Sequence, residues 1–205
     1  MPIRAVSSKG KEKTFQDDKK MKILVVGGSQ GASVFSCVVP AAIRALPAKM
    51  QQLVSVVQQV GEGDIHLVKK LYQEAKIDAI LAPFFHDIYT HIKNADLVIS
   101  RSGASSIAEV SYFEKPAIWV PFPRAADDHQ TANAEEIVSF GGGWLLPESG
   151  SLEKKMTELI KNLLQDRKAL SLASSNLTRL KKPNAAEEIV QMVLGSQDRQ
   201  SGLYR

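Results

Sequence analysis

The sequence predicts a doubly wound α/β fold with a parallel, Rossmann-like sheet. Short apolar runs alternate along the chain with stretches whose apolar residues recur at helical spacing. The apolar runs are continuous, as expected for parallel strands that helices cover on both faces. Six such runs joined by right-handed crossovers would build one open sheet.

The first predicted strand follows a polar, lysine-rich segment over residues 1–20, which we expect to be a linker. The six strands are predicted at residues 22–26, 53–57, 77–81, 97–100, 117–120 and 144–146. The helices between them are predicted at residues 33–46, 64–75, 88–93, 105–113 and 128–140.

After Pro147 the pattern changes to helices alone, so the α/β core is predicted to span residues 21–147. The later helices are predicted at residues 152–165, 167–177 and 185–194, with Pro183 separating the last two. We expect residues 148–195 to pack on the flank of the same domain and residues 196–205 to form a polar tail.

Composition favours an ordinary globular protein of the cytoplasm. The 205 residues are 44% hydrophobic and 23% charged, which excludes collagen-like and disordered classes. The single cysteine, Cys37, can form neither an internal disulfide nor a metal cluster. The apolar runs are far shorter than the ~20 residues of a membrane span, and residues 1–20 lack the apolar core of a secretory signal.

The formal net charge of +4 does not by itself indicate a nucleic-acid partner. Lysine and arginine concentrate at residues 9–20 and 161–182, and Phe15 is the one aromatic residue within these two ranges. Such runs are more often solvated helix faces or tails than binding stripes. We therefore predict no nucleic-acid binding.

The loops after the strands are the candidate sites, because ligands of open α/β sheets bind beyond the carboxyl ends of the strands. The first loop, residues 27–32, is glycine-rich and is either a phosphate site or a structural tight turn. Val26 stands where an NAD-binding motif has glycine, and Gln58 and Gln59 stand where it has an acid. A Walker A loop is also absent, because no Gly-Lys-Ser/Thr follows the glycines.

The second loop, residues 100–106, joins the fourth strand to a helix that contains Glu109. Its small residues leave the amino end of that helix open to an anion. If the helix begins near Ala104, the Glu109 carboxylate can accept two hydrogen bonds from the ribose diol of a ligand lying across this end. The alternative is a solvated Glu109 with Arg101 as its surface partner.

The third loop follows the fifth strand and leads to His129, Gln130 and Asn133. These side chains have the donors and acceptors that recognise sugar hydroxyls. Either aspartate at residues 127–128 is alternatively a helix cap. One histidine and two adjacent aspartates do not make a typical metal-ligand set, so we predict no metal.

The fourth loop, residues 84–87, contains Phe84 and Phe85. The aromatic rings could flank a planar base, although paired phenylalanines are more often part of a core.

Three motifs, in order and at compatible spacing, resemble those of the MurG glycosyltransferase family. They are VVGGSQGA at 25–32, ADLVISRSGA at 95–104 together with Glu109, and DDHQTANA at 127–134. That family transfers N-acetylglucosamine from UDP-N-acetylglucosamine (UDP-GlcNAc) to undecaprenyl-pyrophosphoryl-muramyl-pentapeptide, lipid I, and so makes lipid II for peptidoglycan. The resemblance implies an inverting hexosyltransferase that needs no cofactor and works at the cytoplasmic face of the inner membrane.

The resemblance covers roughly residues 3–195 and corresponds to the C-terminal, donor-binding half of a two-domain GT-B enzyme. The family's N-terminal half, with its acceptor loop, proposed catalytic histidine and membrane-docking patch, has no counterpart in these residues. We therefore expect the chain to be inactive without an N-terminal acceptor domain, and the catalytic base is unknown.

Residues matching the family's motifs imply a UDP-GlcNAc site made of Ser29, Phe85, Arg101, Ala104, Ser105, Ser106, Glu109, His129 and Gln130. By this resemblance, the backbone of Phe85 would bind uracil and Glu109 would hold the ribose hydroxyls.

The same resemblance implies positions for the diphosphate and the sugar. The amides of residues 104–106 would bind the diphosphate, with Ser29 and Arg101 close by. His129 and Gln130 would contact the hydroxyls of N-acetylglucosamine.

Three functional hypotheses are open at this stage. The chain is the donor half of a lipid I N-acetylglucosaminyltransferase that works with a separately supplied N-terminal half. Alternatively, it is a non-catalytic UDP-sugar-binding module or remnant, or part of another GT-B enzyme such as a UDP-sugar epimerase. In each case, an apolar face normally covered by a partner domain would favour weak self-association.

Overall fold

The computed structural model describes residues 20–27, 33–123, 125 and 128–178. The predicted linker (except Lys20), the helix predicted at residues 185–194 and the polar tail lie outside these ranges. The described strands are β1 Met21–Val26, β2 Val54–Gln59, β3 Asp78–Ala82, β4 Leu97–Ser100, β5 Ala117–Trp119 and β6 Gly143–Leu145. The described helices are α1 Ser33–Arg44, α2 Ala48–Gln51, α3 Ile65–Glu74, α4 Ile88–Asn94, α5 Ala104–Tyr112, α6 His129–Ser139, α7 Leu152–Gln165 and α8 Lys168–Thr178.

The six strands form one parallel sheet in the order β3-β2-β1-β4-β5-β6. The prediction of a doubly wound α/β fold is therefore confirmed. The strand order reverses between β1 and β4, which are direct neighbours. Because all strands run in the same direction, the loops after them lie along one edge of the sheet, which we call the carboxyl edge.

Apolar residues on both faces of the central strands hold the sheet between helices. On one face, Ile23 and Val25 of β1 belong to the same buried cluster as Phe35 and Val39 of α1. On the other face, Leu24 belongs to a second buried cluster. Because both faces of β1 are buried from Ile23 to Val25, this part of the strand is a continuous apolar run without polar alternation.

The sheet is less covered over β2 and β3 than the sequence predicted. Ile80 of β3 is 59% exposed, and β3 has no fully buried residue. An open groove of about 430 Å³ lies along this part of the sheet, lined by Leu24, Val57 and Ile80 among others. The expectation that helices cover both faces is therefore wrong for these two strands in the described part of the chain, where the short α4 borders the groove.

The helices after β6 pack on opposite sides of the sheet. Met156 and Ile160 of α7 join the cluster that contains α1, and the Thr157 hydroxyl donates to the carbonyl of Ala42 at 3.2 Å. Leu177 of α8 joins the other cluster, and the Ser174 hydroxyl donates to the carbonyl of Glu114 at 2.7 Å. Among the described helices, none is both long and apolar enough to cross a bilayer.

The sequence did not predict α2, and it placed several element ends one or two residues away from those observed. A helix of four residues after Pro47 is too short to show helical periodicity. The second strand was predicted to end at Val57 but continues to Gln59, because the polar residues Gln58 and Gln59 still pair with β3.

Gly143 allows β5 and β6 to approach each other next to a buried tryptophan. A side-chain Cβ at this position would overlap the carbonyl oxygen of Ala117 and lie 3.2 Å from Nε1 of Trp119. Both Ala117 and Trp119 are buried, so neither can move without disturbing the sheet.

We expect Gly143→Ala to lower the free energy of unfolding by about 1–3 kcal/mol, the usual cost of overpacking a tight site. Urea unfolding monitored by circular dichroism measures this loss. Gly150→Ala is the matched control, because a Cβ at Gly150 meets no atom within 4 Å. A Gly143→Ala protein as stable as the Gly150→Ala protein would contradict the assignment.

Candidate functional site

The candidate site lies on the carboxyl edge, around the loops that follow β3, β4, β5 and β6. The loop after β1 belongs to the same edge, but residues 28–32 lie outside the described part of the chain. The role of Ser29 therefore stays a prediction.

The β4–α5 loop presents the amino end of a helix to solvent. Helix α5 begins at Ala104, as the donor-site prediction required, and Gly103 is its N-cap in an extended conformation (φ −65°, ψ 147°). Gly103 has no side chain and therefore makes no capping hydrogen bond to the helix. Ala104 and Ser105 are exposed and Ser106 is partly exposed. The first turn of α5 can therefore direct its backbone amides towards an anion.

Glu109 lies one turn further along α5 and is partly buried. The hydroxyl of Tyr89, on α4, is 3.5 Å from its Oε1. Burial raises the pKa of the Glu109 carboxyl above its ordinary value, and the hydrogen bond from Tyr89 opposes this rise. The fold thus holds a carboxylate, at some cost in hydration, beside the open end of a helix.

Arg101 is buried behind this loop, so the interpretation of Arg101 as a surface partner of Glu109 is wrong. Its Nη1 is 2.6 Å from Oε2 of Glu148 and donates to the carbonyls of Val120 at 3.2 Å and Pro121 at 3.0 Å. The sequence did not suggest Glu148, because it lies in the loop after β6 and belongs to no recognisable motif. A direct contact of Arg101 with a diphosphate stays a prediction.

Two aromatic rings complete the surroundings of the Arg101 guanidinium. The rings of Phe35 and Phe122 each lie 5.3 Å from its central carbon. Cation–π contacts of this kind stabilise a guanidinium that has left water. Arg101 therefore links helix α1 to the loops after β4, β5 and β6.

A second network joins the β4–α5 loop to α6. The hydroxyl of Ser102 donates to the backbone carbonyl of Gln130 at 2.8 Å, and the amide of Asn133 donates to the carbonyl of Ser102 at 3.2 Å. The side-chain oxygen of Gln130 accepts from the backbone N–H of Phe122 at 3.0 Å. Arg101 and Gln130, both predicted site residues, thus contact neighbouring residues of the same loop, Pro121 and Phe122.

His129 is exposed at the start of α6, next to Gln130. Asp128 before it has a left-handed backbone (φ 50°) and accepts from the Thr131 hydroxyl at 2.7 Å. Asp128 occupies the N-cap position, but its side chain makes no capping hydrogen bond to the backbone. Asp127 lies outside the described residues.

Phe84 and Phe85 have different surroundings, and the core interpretation of the pair is wrong. Phe84 is 64% exposed, whereas Phe85 is partly buried against His91, with ring centroids 4.6 Å apart. Within the described part of the chain, no hydrogen bond engages the backbone N–H or C=O of Phe85. That backbone is therefore available to a polar ligand.

Gln58, near the end of β2, stands where an NAD-binding motif has an acid. It is fully buried, accepts from the Tyr72 hydroxyl at 2.6 Å and donates to the carbonyl of Phe35 at 2.9 Å. Its hydrogen-bonding groups are used inside the protein, and burial raises the pKa of Tyr72. Among the described residues, no three His, Cys, Asp or Glu side chains converge in the manner of a metal site.

Residues 22–189 match the profile of the glycosyltransferase family 28 C-terminal domain. The chain belongs to this family. Its motifs had already suggested the same kinship, and the sheet and helices have the expected arrangement, so both the resemblance and the fold are confirmed.

The relatives that match this chain are longer proteins, and the match covers only part of each. The UDP-N-acetylglucosamine–N-acetylmuramyl-(pentapeptide) pyrophosphoryl-undecaprenol N-acetylglucosamine transferase of Magnetococcus marinus is 43% identical over 183 residues, 87% of this chain and 48% of that protein. The protein of the same name from Granulibacter bethesdensis is 42% identical over 178 residues, 87% of this chain and 46% of that protein. The crystal structure of Acinetobacter baumannii MurG has a TM-score of 0.79 at 28% identity, with 95% of this chain and 59% of that chain covered. The chain thus spans about half the length of the curated relatives it matches.

The environment of Glu109 predicts how its ionisation responds to mutation. Tyr89→Phe removes the hydrogen bond that opposes the effect of burial, so we expect the pKa of the Glu109 carboxyl to rise further above its ordinary value of about 4.3. Carboxyl ¹³C NMR titration measures the change, with Glu109→Gln identifying the signal.

The sign of the accompanying stability change follows from linkage. Because the folded state raises the pKa of this acid, it binds the proton more tightly than the unfolded state does. The contribution of Glu109 to the free energy of unfolding therefore falls as pH rises from the ordinary glutamate pKa through the raised value. A Glu109 signal that titrates at or below its ordinary pKa in the wild-type protein would contradict this account.

Proposed function

We propose that this family 28 domain binds UDP-GlcNAc as the donor half of an inverting N-acetylglucosaminyltransferase. The observation on which the proposal depends is the amino end of α5, where Gly103 provides no capping side chain. This end lies between the partly buried carboxylate of Glu109 and the Ser102–Gln130 network. A helix amino end suits a diphosphate, because its unpaired amides and dipole both favour negative charge.

The neighbouring groups suit the other parts of a nucleotide sugar. The ionised Glu109 carboxylate can accept hydrogen bonds from both hydroxyls of a ribose. The free backbone groups of Phe85 offer one donor and one acceptor, which matches the edge of a uracil ring. We propose that His129 and Gln130, at the start of α6, contact the sugar hydroxyls. We also propose that residues 21–147 form the nucleotide-sugar-binding core.

The chemical contribution of these residues is to bind the donor and to stabilise the leaving group. Negative charge develops on the UDP diphosphate as the glycosidic bond breaks, and the amides at the start of α5 are oriented for it before the reaction. An inverting transfer also needs a base that deprotonates the acceptor hydroxyl. We propose that an acceptor-binding half, on the same polypeptide or a separate one, supplies this base.

The proposed acceptor is undecaprenyl-pyrophosphoryl-MurNAc-pentapeptide, lipid I, and the proposed product is lipid II for peptidoglycan. Support comes from the names of the Magnetococcus and Granulibacter relatives, together with identities of 43% and 42% over most of this chain. Because the undecaprenyl chain of the acceptor is in a membrane, we propose that the complete enzyme works at the cytoplasmic membrane face.

Donor binding is tested by calorimetric titration of the chain with UDP-GlcNAc, UDP-glucose and NADH. We expect UDP-GlcNAc to bind preferentially and Glu109→Ala to weaken it ten- to a hundredfold. This corresponds to the ~1.5–3 kcal/mol of a charge-assisted hydrogen-bonding group.

Glu158→Ala is the matched control, because Glu158 is an exposed glutamate on α7 whose ion-pair partner among the described residues is Lys161, at 4.0 Å. Its affinity should equal that of the wild-type chain. Equal binding of NADH and UDP-GlcNAc, or no loss in Glu109→Ala, would refute the proposed donor site.

The proposed division of labour predicts the outcome of an activity assay. The chain alone should release no transfer product from UDP-GlcNAc and a lipid I analogue. Adding the N-terminal half of a full-length relative should restore acceptor-dependent transfer, measured with radiolabelled donor. Transfer by the chain alone would show that a separate acceptor-binding half is not required.

A further inference from the structure

We propose that Glu148 is a positioning residue that sets the contribution of the donor's sugar to binding. It acts through Arg101 and the backbone of residues 120–122 on the side chain of Gln130. The inference rests on the proposed function, and Glu148 itself lies outside the proposed set of donor contacts.

The first step is the ion pair between Glu148 and Arg101. The Arg101 side chain is only 10% exposed, and its Nη1 is 2.6 Å from the Glu148 carboxylate. A guanidinium removed from water needs an opposite charge nearby. Within the described residues, Glu148 supplies that charge, whereas the other contacts of Arg101 are carbonyls and aromatic rings.

The second step is the set of contacts that Arg101 makes with the start of the β5–α6 loop. The same nitrogen donates to the carbonyls of Val120 and Pro121, and the ring of Phe122 lies 5.3 Å from the guanidinium carbon. Three consecutive residues are therefore bound to one cation. If the carboxylate loses its charge, the guanidinium is better solvated nearer the surface, and these contacts weaken.

The third step connects the loop to Gln130. The backbone N–H of Phe122 donates to the Gln130 side-chain oxygen at 3.0 Å. Because its oxygen is engaged, Gln130 presents its Nε2 as a donor, and the described residues include no acceptor for it. The orientation of this donor, and hence its use by a sugar oxygen, depends on where Phe122 is held.

These contacts reach the residue assigned to the sugar and do not include the residues of α5 assigned to UDP. The diphosphate and ribose are assigned to α5, whose Glu109 contacts Tyr89 and takes no part in the Arg101 ion pair. Arg101 itself is predicted only to lie beside the diphosphate. Loss of the Glu148 charge should therefore reduce the gain in affinity that the sugar adds to UDP by a larger factor than it reduces the affinity for UDP itself.

The experiment measures the dissociation constants of UDP and UDP-GlcNAc by calorimetry, and their ratio is the sugar's contribution. In Glu148→Gln, which retains the shape and removes the charge, we expect this ratio to fall about fivefold or more, a larger factor than the loss of affinity for UDP. Glu158→Gln, an exposed glutamate on α7, should leave both constants unchanged.

A double-mutant cycle distinguishes positioning from a general loss of structure. If Glu148 acts through Gln130, the Glu148→Gln/Gln130→Ala protein should lose no more of the sugar's contribution than Gln130→Ala does. Losses that multiply would overturn the proposal, and so would an equal weakening of UDP and UDP-GlcNAc, which indicates a purely structural role.

The ligand-free protein provides a second readout. The ¹⁵N NMR signals of the Phe122 backbone amide and the Gln130 side-chain amide should shift in Glu148→Gln, and unchanged signals would overturn the proposal. Should that variant not fold, Glu148→Asp, which keeps the charge at a shorter reach, should give the same pattern with smaller amplitude. A wild-type chain that binds neither UDP nor UDP-GlcNAc would refute the proposed function. Wild-type binding that is the same in Glu148→Gln would instead refute only the role of Glu148.

Discussion

The candidate site depends on the pairing of β4 between β1 and β5. All four residues of β4 are buried, and its backbone is hydrogen-bonded to a parallel strand on each side. Pairing on both sides fixes the backbone of β4 as far as Ser100. The loop that starts at Arg101 therefore leaves the sheet at a fixed position and in a fixed direction. Helix α5, the buried guanidinium and the link from Ser102 to α6 all follow from that exit point.

Unfavourable local features concentrate along the carboxyl edge. Helix α5 starts at a glycine without a capping side chain, Glu109 is partly desolvated, and the Arg101 side chain is only 10% exposed. Each feature lowers stability by itself, and each is compatible with binding an anionic nucleotide. Apolar packing on both faces of β1 and β4 compensates for them elsewhere in the fold. A well-packed core together with locally unfavourable features at one edge is expected where that edge forms a functional site.

Much of this arrangement was predictable from local sequence, and the exceptions have physical reasons. The order of strands and helices and the start of α5 at Ala104 follow from apolar periodicity and from the small residues at 102–106, which are short-range properties. The partner of Arg101 was not predictable, because Glu148 is brought close only by the addition of β5 and β6 to the sheet.

Exposure was also difficult to infer. Phe84 is an apolar residue in a loop, and whether such a residue is buried depends on neighbours distant in sequence. Gln58 gave a partial signal, since a polar residue at the end of an apolar run must find partners when the run is buried. Its partners, Tyr72 and the carbonyl of Phe35, lie on two different helices, which no local pattern identifies.

The strand order also determines how the sheet can assemble during synthesis. Strands β2 and β3 add in sequence to one side of β1, so this half can form as soon as Ala82 has been made. The other side of β1 stays unpaired until Leu97 emerges from the ribosome, and from then on each new strand extends the opposite border. During that interval the unpaired edge of β1 is open to foreign strands, and the pairing of β4 closes it.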